Sequence, residues 1–141
     1  MAPTERQLEL VRDSFAELRK DPRPRFVEFY EAFFRRAPEL RSMFREDDLG
    51  GQGMRFMSTL GVIVDDLNRP EALEDRLTEL GQAHRAMGVK AAHFEPMGAA
   101  LLETLENTLG ADFTPEARAA WEAAYAQVAD EIIRRGDIPP E

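Results

Sequence analysis

Leu73-Glu74-Asp75-Arg76-Leu77-Thr78-Glu79-Leu80-Gly81-Gln82-Ala83-His84-Arg85-Ala86-Met87 sets Leu73, Leu77, Leu80, His84 and Met87 three and four residues apart. That spacing winds all five onto one face of an α-helix. The helix is predicted to follow the connector Asn68 to Pro70 and to end at Gly88. An imidazole inside an apolar stripe faces the interior and needs partners for two ring nitrogens. One ring N–H can reach the carbonyl of Leu80, four residues back. This fixes the tautomer and leaves the lone pair of the other nitrogen for a metal. The competing reading is a core histidine with satisfied hydrogen bonds, and periodicity alone favours it.

Outward from this segment the chain reads as helices and breakers. Thr4-Glu5-Arg6-Gln7 has the form of a capping box, and Leu8, Val11, Phe15 and Leu18 predict a helix from about Glu5 to Arg19. Asp21-Pro22-Arg23-Pro24 interrupts, since proline disfavours helix in the residue before it. Phe26, Phe29, Tyr30, Phe33, Phe34 and Ala37 mark a second helix, Pro38 opens a short turn ending near Phe44, and residues 45 to 50 read as a loop. Leu49, Gly53, Phe56, Leu60, Ile63 and Leu67 share the next face; Gly61-Val62-Ile63-Val64 alone has strand propensity, but the helical spacing runs through it. After Lys90 come Phe94, Met97, Leu101, Leu105 and Leu109, with Pro96 expected to kink the helix and Gly110 to stop it. Thr114-Pro115-Glu116 caps a last helix that buries Ala117, Trp121, Ala124, Tyr125, Val128 and Ile132. The whole chain, 1–141, reads as one all-α domain with an ordered core over about 5–135 and a tail, Gly136 to Glu141, expected to fray.

Composition removes whole classes of function. A 16.0 kDa chain of 141 residues holds one core. Eighteen basic against 27 acidic side chains give a net charge of -9, which repels phosphate backbones and anionic lipid, so neither nucleic acid nor membrane is an expected partner. Mean hydropathy is -0.44, and no apolar run is long enough to span a bilayer. With no cysteine, disulfides, iron–sulfur clusters, thiolate metal sites and thiol nucleophiles all disappear together. Met-Ala-Pro-Thr-Glu lacks a basic start followed by an apolar stretch, so the expected compartment is the cytoplasm. Imidazole chemistry must choose between His84 and His93, and His93, beyond a breaker, reads as a surface or interhelical residue.

Six of the nine phenylalanines fall between Phe26 and Phe56, with Tyr30 among them. Ordinary helix packing accounts for such a run. The sharper reading is a slot for a large planar apolar ligand, and one neutral imidazole beside such a slot is what haem needs where no thiolate exists.

Three stretches together resemble the globin family. Phe29-Tyr30-Glu31-Ala32-Phe33-Phe34 with Pro38-Glu39-Leu40-Arg41-Ser42-Met43-Phe44 is similar to the second helix and the turn delivering a haem-packing phenylalanine. Leu80-Gly81-Gln82-Ala83-His84-Arg85-Ala86-Met87-Gly88-Val89 resembles the proximal histidine segment, and Phe113-Thr114-Pro115-Glu116 with Ala120-Trp121 and Tyr125 the start of the final helix. Bacterial single-domain globins, the globin module of flavohaemoglobins and neuroglobin-like chains are the nearest resemblances.

The resemblance implies a globin fold around one haem b, with His84 as the iron ligand and Phe44 stacked on the porphyrin. It sets Gln52 at the distal position opposite Tyr30, Phe56 one turn on, Phe94 beside the cofactor, and Arg55 near a propionate or the ligand. Without the resemblance, Gln52 and Arg55 read as a solvated helix face. It implies reversible binding of dioxygen, CO or NO. Tyr30 and Gln52 then donate to a bound dioxygen more strongly than to the less polar CO. The alternative is a nitric oxide dioxygenase or peroxidase-like enzyme drawing on an external reductase; a haem-free helical interaction module is a third class. Where flavohaemoglobins carry a tyrosine and a glutamate near the proximal histidine, this chain has Phe94 and Gly136, and Glu131 is the other carboxylate considered for that role. Bulky Phe26, where many globins have a small residue, is expected to disturb the crossing near Gly53.

Overall fold

The computed structural model describes residues 3–44 and 49–141. Six α-helices follow one another: α1 (Glu5–Leu18), α2 (Pro22–Arg36), α3 (Leu49–Asp65), α4 (Pro70–Ala86), α5 (Phe94–Leu109) and α6 (Pro115–Gly136). Short 3-10 turns occupy Pro38–Met43, Ala91–His93 and Gly110–Asp112, and no strand occurs among the described residues. The fold class is therefore all-α, as the periodicity predicts.

The helix ends follow local chemistry. At α1 the Gln7 amide donates to Thr4 Oγ1 at 3.1 Å and the Thr4 amide to Gln7 Oε1 at 2.9 Å, closing the capping box. At α6 the Ala117 amide donates to Thr114 Oγ1 at 3.1 Å, a cap worth about 1 kcal/mol. Three features differ from the sequence expectation, two of them because of proline. Pro22 and Pro24 sit inside the first turn of α2, where the amides have no intrahelical partner to lose, so α2 begins four residues before Phe26. Pro96, expected to kink its helix, is the third residue of α5 and costs nothing there. Leu49 already opens α3, so the loop read over 45–50 ends sooner; residues 45–48 lie outside the described residues.

Two apolar clusters hold the helices. The larger gathers Val11, Phe15, Leu18, Phe29, Phe33, Leu101, Leu105 and Trp121 from α1, α2, α5 and α6. Within it the Trp121 indole N–H donates to Ser14 Oγ at 3.1 Å, and Ser14 Oγ donates to the Leu10 carbonyl, so the buried polar atoms at that crossing are paired. The smaller cluster, Ile63, Leu77, Phe94, Ala129, Ile132 and Ile138, lies where α4 rests on α6. Phe26 does not loosen the α2–α3 crossing: its ring fills the space that a Cβ on Gly53 would need.

The tail expected to fray is docked. Asp137 adopts a left-handed conformation (φ 51°) that turns the chain back, and the Ile138 amide donates to the Ile133 carbonyl at 3.0 Å. Ile138 is then buried in the smaller cluster, and the Pro139 and Pro140 carbonyls accept from the Ala91 and Ala92 amides at 2.9 and 3.3 Å. One buried isoleucine and two inter-segment hydrogen bonds outweigh the tendency of a terminus to fray.

Candidate functional site

A cavity of about 360 Å³ opens between two walls, one formed by α2, the Pro38–Met43 turn and α3, the other by α4, the Ala91–His93 turn and α5. It falls within the range of roughly 300–1,000 Å³ typical of cofactor and small-molecule sites. Tyr30, Phe44, Gln52, Arg55, Phe56, His84 and Phe94, the seven residues singled out from sequence, all line it.

The α2–α3 wall is aromatic because i, i+3 and i+4 positions of α2 carry rings. Phe29 stacks on Phe56 with centroids 4.5 Å apart and planes 13° apart, and Tyr30 on Phe34 at 5.7 Å and 10°. Phe44 caps its 3-10 turn in extended backbone and presents its edge to Tyr30 at 5.4 Å and to Phe34 at 5.2 Å. Offset and edge-on arrangements of this kind are the favoured ones for aromatic pairs.

Polar groups on this wall are few. Tyr30 is buried, and desolvation pushes its phenol up to about 12, with the Arg55 cation opposing the shift. At neutral pH Tyr30 therefore keeps its proton and is a donor. Gln52 Oε1 is buried and meets no hydrogen-bond partner among the described residues. Arg55 lies one turn further along α3, on the exposed side of the cavity.

On the opposite wall the His84 Nδ1 is 2.6 Å from the Leu80 carbonyl oxygen. A carbonyl only accepts, so Nδ1 carries the proton and Nε2 keeps its lone pair. The imidazole centroid is 5.8 Å from that of Phe94. Tyr125 holds Phe94 from behind, donating its hydroxyl to the Phe94 carbonyl at 2.6 Å; burial raises the Tyr125 pKa. Gly136, at the position compared with a glutamate, packs against Gly81 backbone to backbone and leaves no room for a side chain. Glu131 is turned away from this role: it accepts from Arg134 at 2.6 Å and Arg135 at 2.8 Å, and those bonds hold its carboxyl below the usual range.

Sequence reasoning missed two features. His93, read as surface or interhelical, also lines the cavity, because the Ala91–His93 turn swings it inward; its Nδ1 accepts from the Lys90 amide at 3.0 Å. Its adjacency to the Phe94 stripe was the available signal. Met43, Met87 and Met97 also line the site, but Met87, placed in the buried stripe, is 62% exposed at the rim.

The residues fit a haem by their own chemistry. A flat aromatic wall faces an imidazole whose Nε2 is not used by any hydrogen bond among the described residues, the apolar plane and nitrogen donor that a haem requires. Fold and site thus define an all-α protein with an aromatic-walled cavity that two imidazoles, His84 and His93, also line. The family model for the globins, described as Globin, matches residues 27–132, and the chain belongs to the globin family. It is 31% identical over 144 residues to Neuroglobin-1 of Oncorhynchus mykiss, covering 93% of this chain and 91% of that one. It is 30% identical to Neuroglobin of Dissostichus mawsoni and 31% to Neuroglobin of Tetraodon nigroviridis, each over 89% of this chain and 87% of the relative. These relatives are neuroglobins and lend no support to the likeness with bacterial single-domain globins or flavohaemoglobins. As a globin the chain binds haem and a diatomic gas. No helix among the described residues is long and apolar enough to cross a membrane.

Proposed function

We propose that the cofactor is haem b, that His84 Nε2 is its axial ligand, and that Tyr30 and Gln52 favour dioxygen over less polar gases. Haem iron, when bound, supplies the centre at which a gas is held. The Leu80 carbonyl fixes the His84 tautomer, which is the observation that carries the reading, because it leaves the Nε2 lone pair available to a metal. Phe44 and Phe56 give the porphyrin flat apolar contact and exclude water. The Tyr30 hydroxyl and the Gln52 amide are the donors on the far wall; a charge-assisted hydrogen bond from each contributes about 1.5–3 kcal/mol to a polar ligand and less to CO. Arg55 sits where its charge bears on Tyr30, and this supports a role toward the ligand.

The enzyme reading gains nothing from the site. Phe94 has no hydrogen-bonding group to offer His84, Gly136 no carboxylate, and Glu131 is engaged by two arginines. The test is an absorption spectrum of the purified protein with one equivalent of haem, ferric and then reduced, with and without CO. A single high-affinity haem and a reversible shift with CO are expected. Failure to bind haem stoichiometrically, or a reduced form indifferent to CO, overturns the proposal.

A further inference from the structure

The last residues of the chain meet the His84 helix from behind, away from the cavity. Gly136 lies against Gly81, one turn before His84; a Cβ on Gly81 would stand 2.6 Å from both the Gly136 amide nitrogen and the Ile132 carbonyl oxygen. Asp137 pairs at 3.1 Å with Arg85, the residue after His84. Ile138 is buried with Leu77 and Phe94, and Leu80 and Val89 pack on the same cluster. The Pro139 and Pro140 carbonyls accept from the Ala91 and Ala92 amides, which lead directly into His93 and Phe94 on the cavity wall.

α4 rests along α6, where Arg135 donates to Thr78 and Glu74, and the tail contacts carry that seat past the end of the helix to the turn that follows His84. Of the 17 residues of α4 only Leu77 and Gly81 are buried. A helix anchored by so few apolar residues gains most of its fixed position from what lies against it. Pro139 and Pro140 lie beyond the close of α6, which ends on the Asp137 and Ile138 amides. Two consecutive prolines have no amide to leave unpaired, their φ angles are preset, and they therefore present their carbonyls at small entropic cost.

We propose that Asp137–Pro140 is a positioning strap that holds the end of α4 and the following turn so that His84 presents Nε2 to the cavity, and that it thereby sets how firmly haem is retained. The inference rests on His84 being the iron ligand. Its residues touch neither haem nor gas; they act through α4.

The test compares the full-length haem-loaded wild type with Ile138→Ala, Ile138→Val and His84→Ala. Haem transfer to excess acceptor apoglobin, the iron–histidine Raman band of the reduced protein, and hydrogen exchange at the Ala91 and Ala92 amides are measured. Ile138→Ala should speed haem transfer about tenfold, the factor given by ~1.4 kcal/mol of lost positioning. It should broaden or shift the iron–histidine band and speed exchange at Ala91 and Ala92 while α2 amides stay protected. Ile138→Val should restore most of each, and its smaller change in the same direction serves if Ile138→Ala does not fold. Fast exchange at Ala91 and Ala92 with unchanged haem transfer and band overturns the strap alone. Survival of the iron–histidine band in His84→Ala overturns the ligand assignment, and the strap with it.

Discussion

On the α2–α3 side of the cavity every ring leans on others: Phe29 touches Tyr30, Phe33 and Phe56, while Phe44 touches Tyr30, Phe33 and Phe34. On the α4 side a single imidazole projects from a helix that buries two residues; one carbonyl orients the ring, and the Gly81–Gly136 contact, the Arg135 bonds and the docked tail seat the helix on α6. The first wall is redundant, and loss of one ring leaves the rest in contact. The second concentrates its function at single points, so equal-sized substitutions should have very unequal effects on the two sides.

The largest effect is expected at the imidazole. His84→Ala should lose most bound haem, whereas His93→Ala and Phe44→Leu should keep it, as read from the haem-to-protein ratio after purification. His93 lines the same cavity, so it is the sharpest control; greater loss in His93→Ala would reverse the assignment of the two histidines.

Next comes the glycine pair. Gly136→Ala drives a methyl into the Gly81 backbone, and overpacking of this kind typically costs about 1–3 kcal/mol. Gly50→Ala, with nothing within 4 Å of the added carbon, should be neutral or stabilising. Denaturant midpoints decide between them; equal midpoints would mean that α4 and α6 can separate without penalty.

The same contrast explains what was legible in the sequence. Periodicity gave the helices, because they depend on local repeat; the seven residues that meet at the cavity were named from the globin resemblance, and spacing alone left Gln52 and Arg55 on a solvated face. Ile138 was not legible. It stands two residues past Gly136, and its burial needs Leu77 and Phe94, distant along the chain, beside Ala129 and Ile132 of α6. Gly81, inside the His84 helix, and Gly136, at the start of the tail expected to fray, gave no sign of each other, since close approach of two backbones leaves no pattern in either segment alone. Met87 fitted the stripe by spacing yet lies at the helix end, where the cavity mouth opens and the stripe runs out.

On the redundant wall, the polar groups should act singly although the rings do not. Tyr30→Phe or Gln52→Ala should speed dioxygen release by about tenfold or more, the equivalent of at least ~1.4 kcal/mol, and change CO release less. Stopped-flow displacement of each gas measures both. Equal changes for the two gases would assign these residues a steric role.

Tyr30 also titrates differently from an exposed phenol. Its folded pKa near 12 lies above the ordinary value of 10.0, so burial of the neutral form stabilises the protein fully below pH 10 and loses that contribution as the pH rises toward 12. The denaturant midpoint should fall over that window, and less steeply in Tyr30→Phe; Tyr125, raised in the same direction, sustains the remaining slope. An identical profile in Tyr30→Phe would mean that Tyr30 is as solvated as in the unfolded chain.

The smallest effect is expected where a carboxylate stands near the imidazole wall without serving it. Glu131 binds Arg135, and Arg135 donates in turn to Thr78 and Glu74 on α4, both at 3.1 Å. The carboxylate therefore orients an arginine that ties α6 to α4, and the His84 Nδ1–H donates to the Leu80 carbonyl instead. A backbone carbonyl draws less on the Nδ1 proton than a carboxylate does, so the imidazole gains little anionic character. Glu131→Gln should leave the iron–histidine Raman band of the reduced protein in place, since glutamine still accepts from Arg135. A band displaced to lower frequency in Glu131→Gln would show that this carboxylate reaches His84 after all, and would return the site to the enzyme reading that its geometry disfavours.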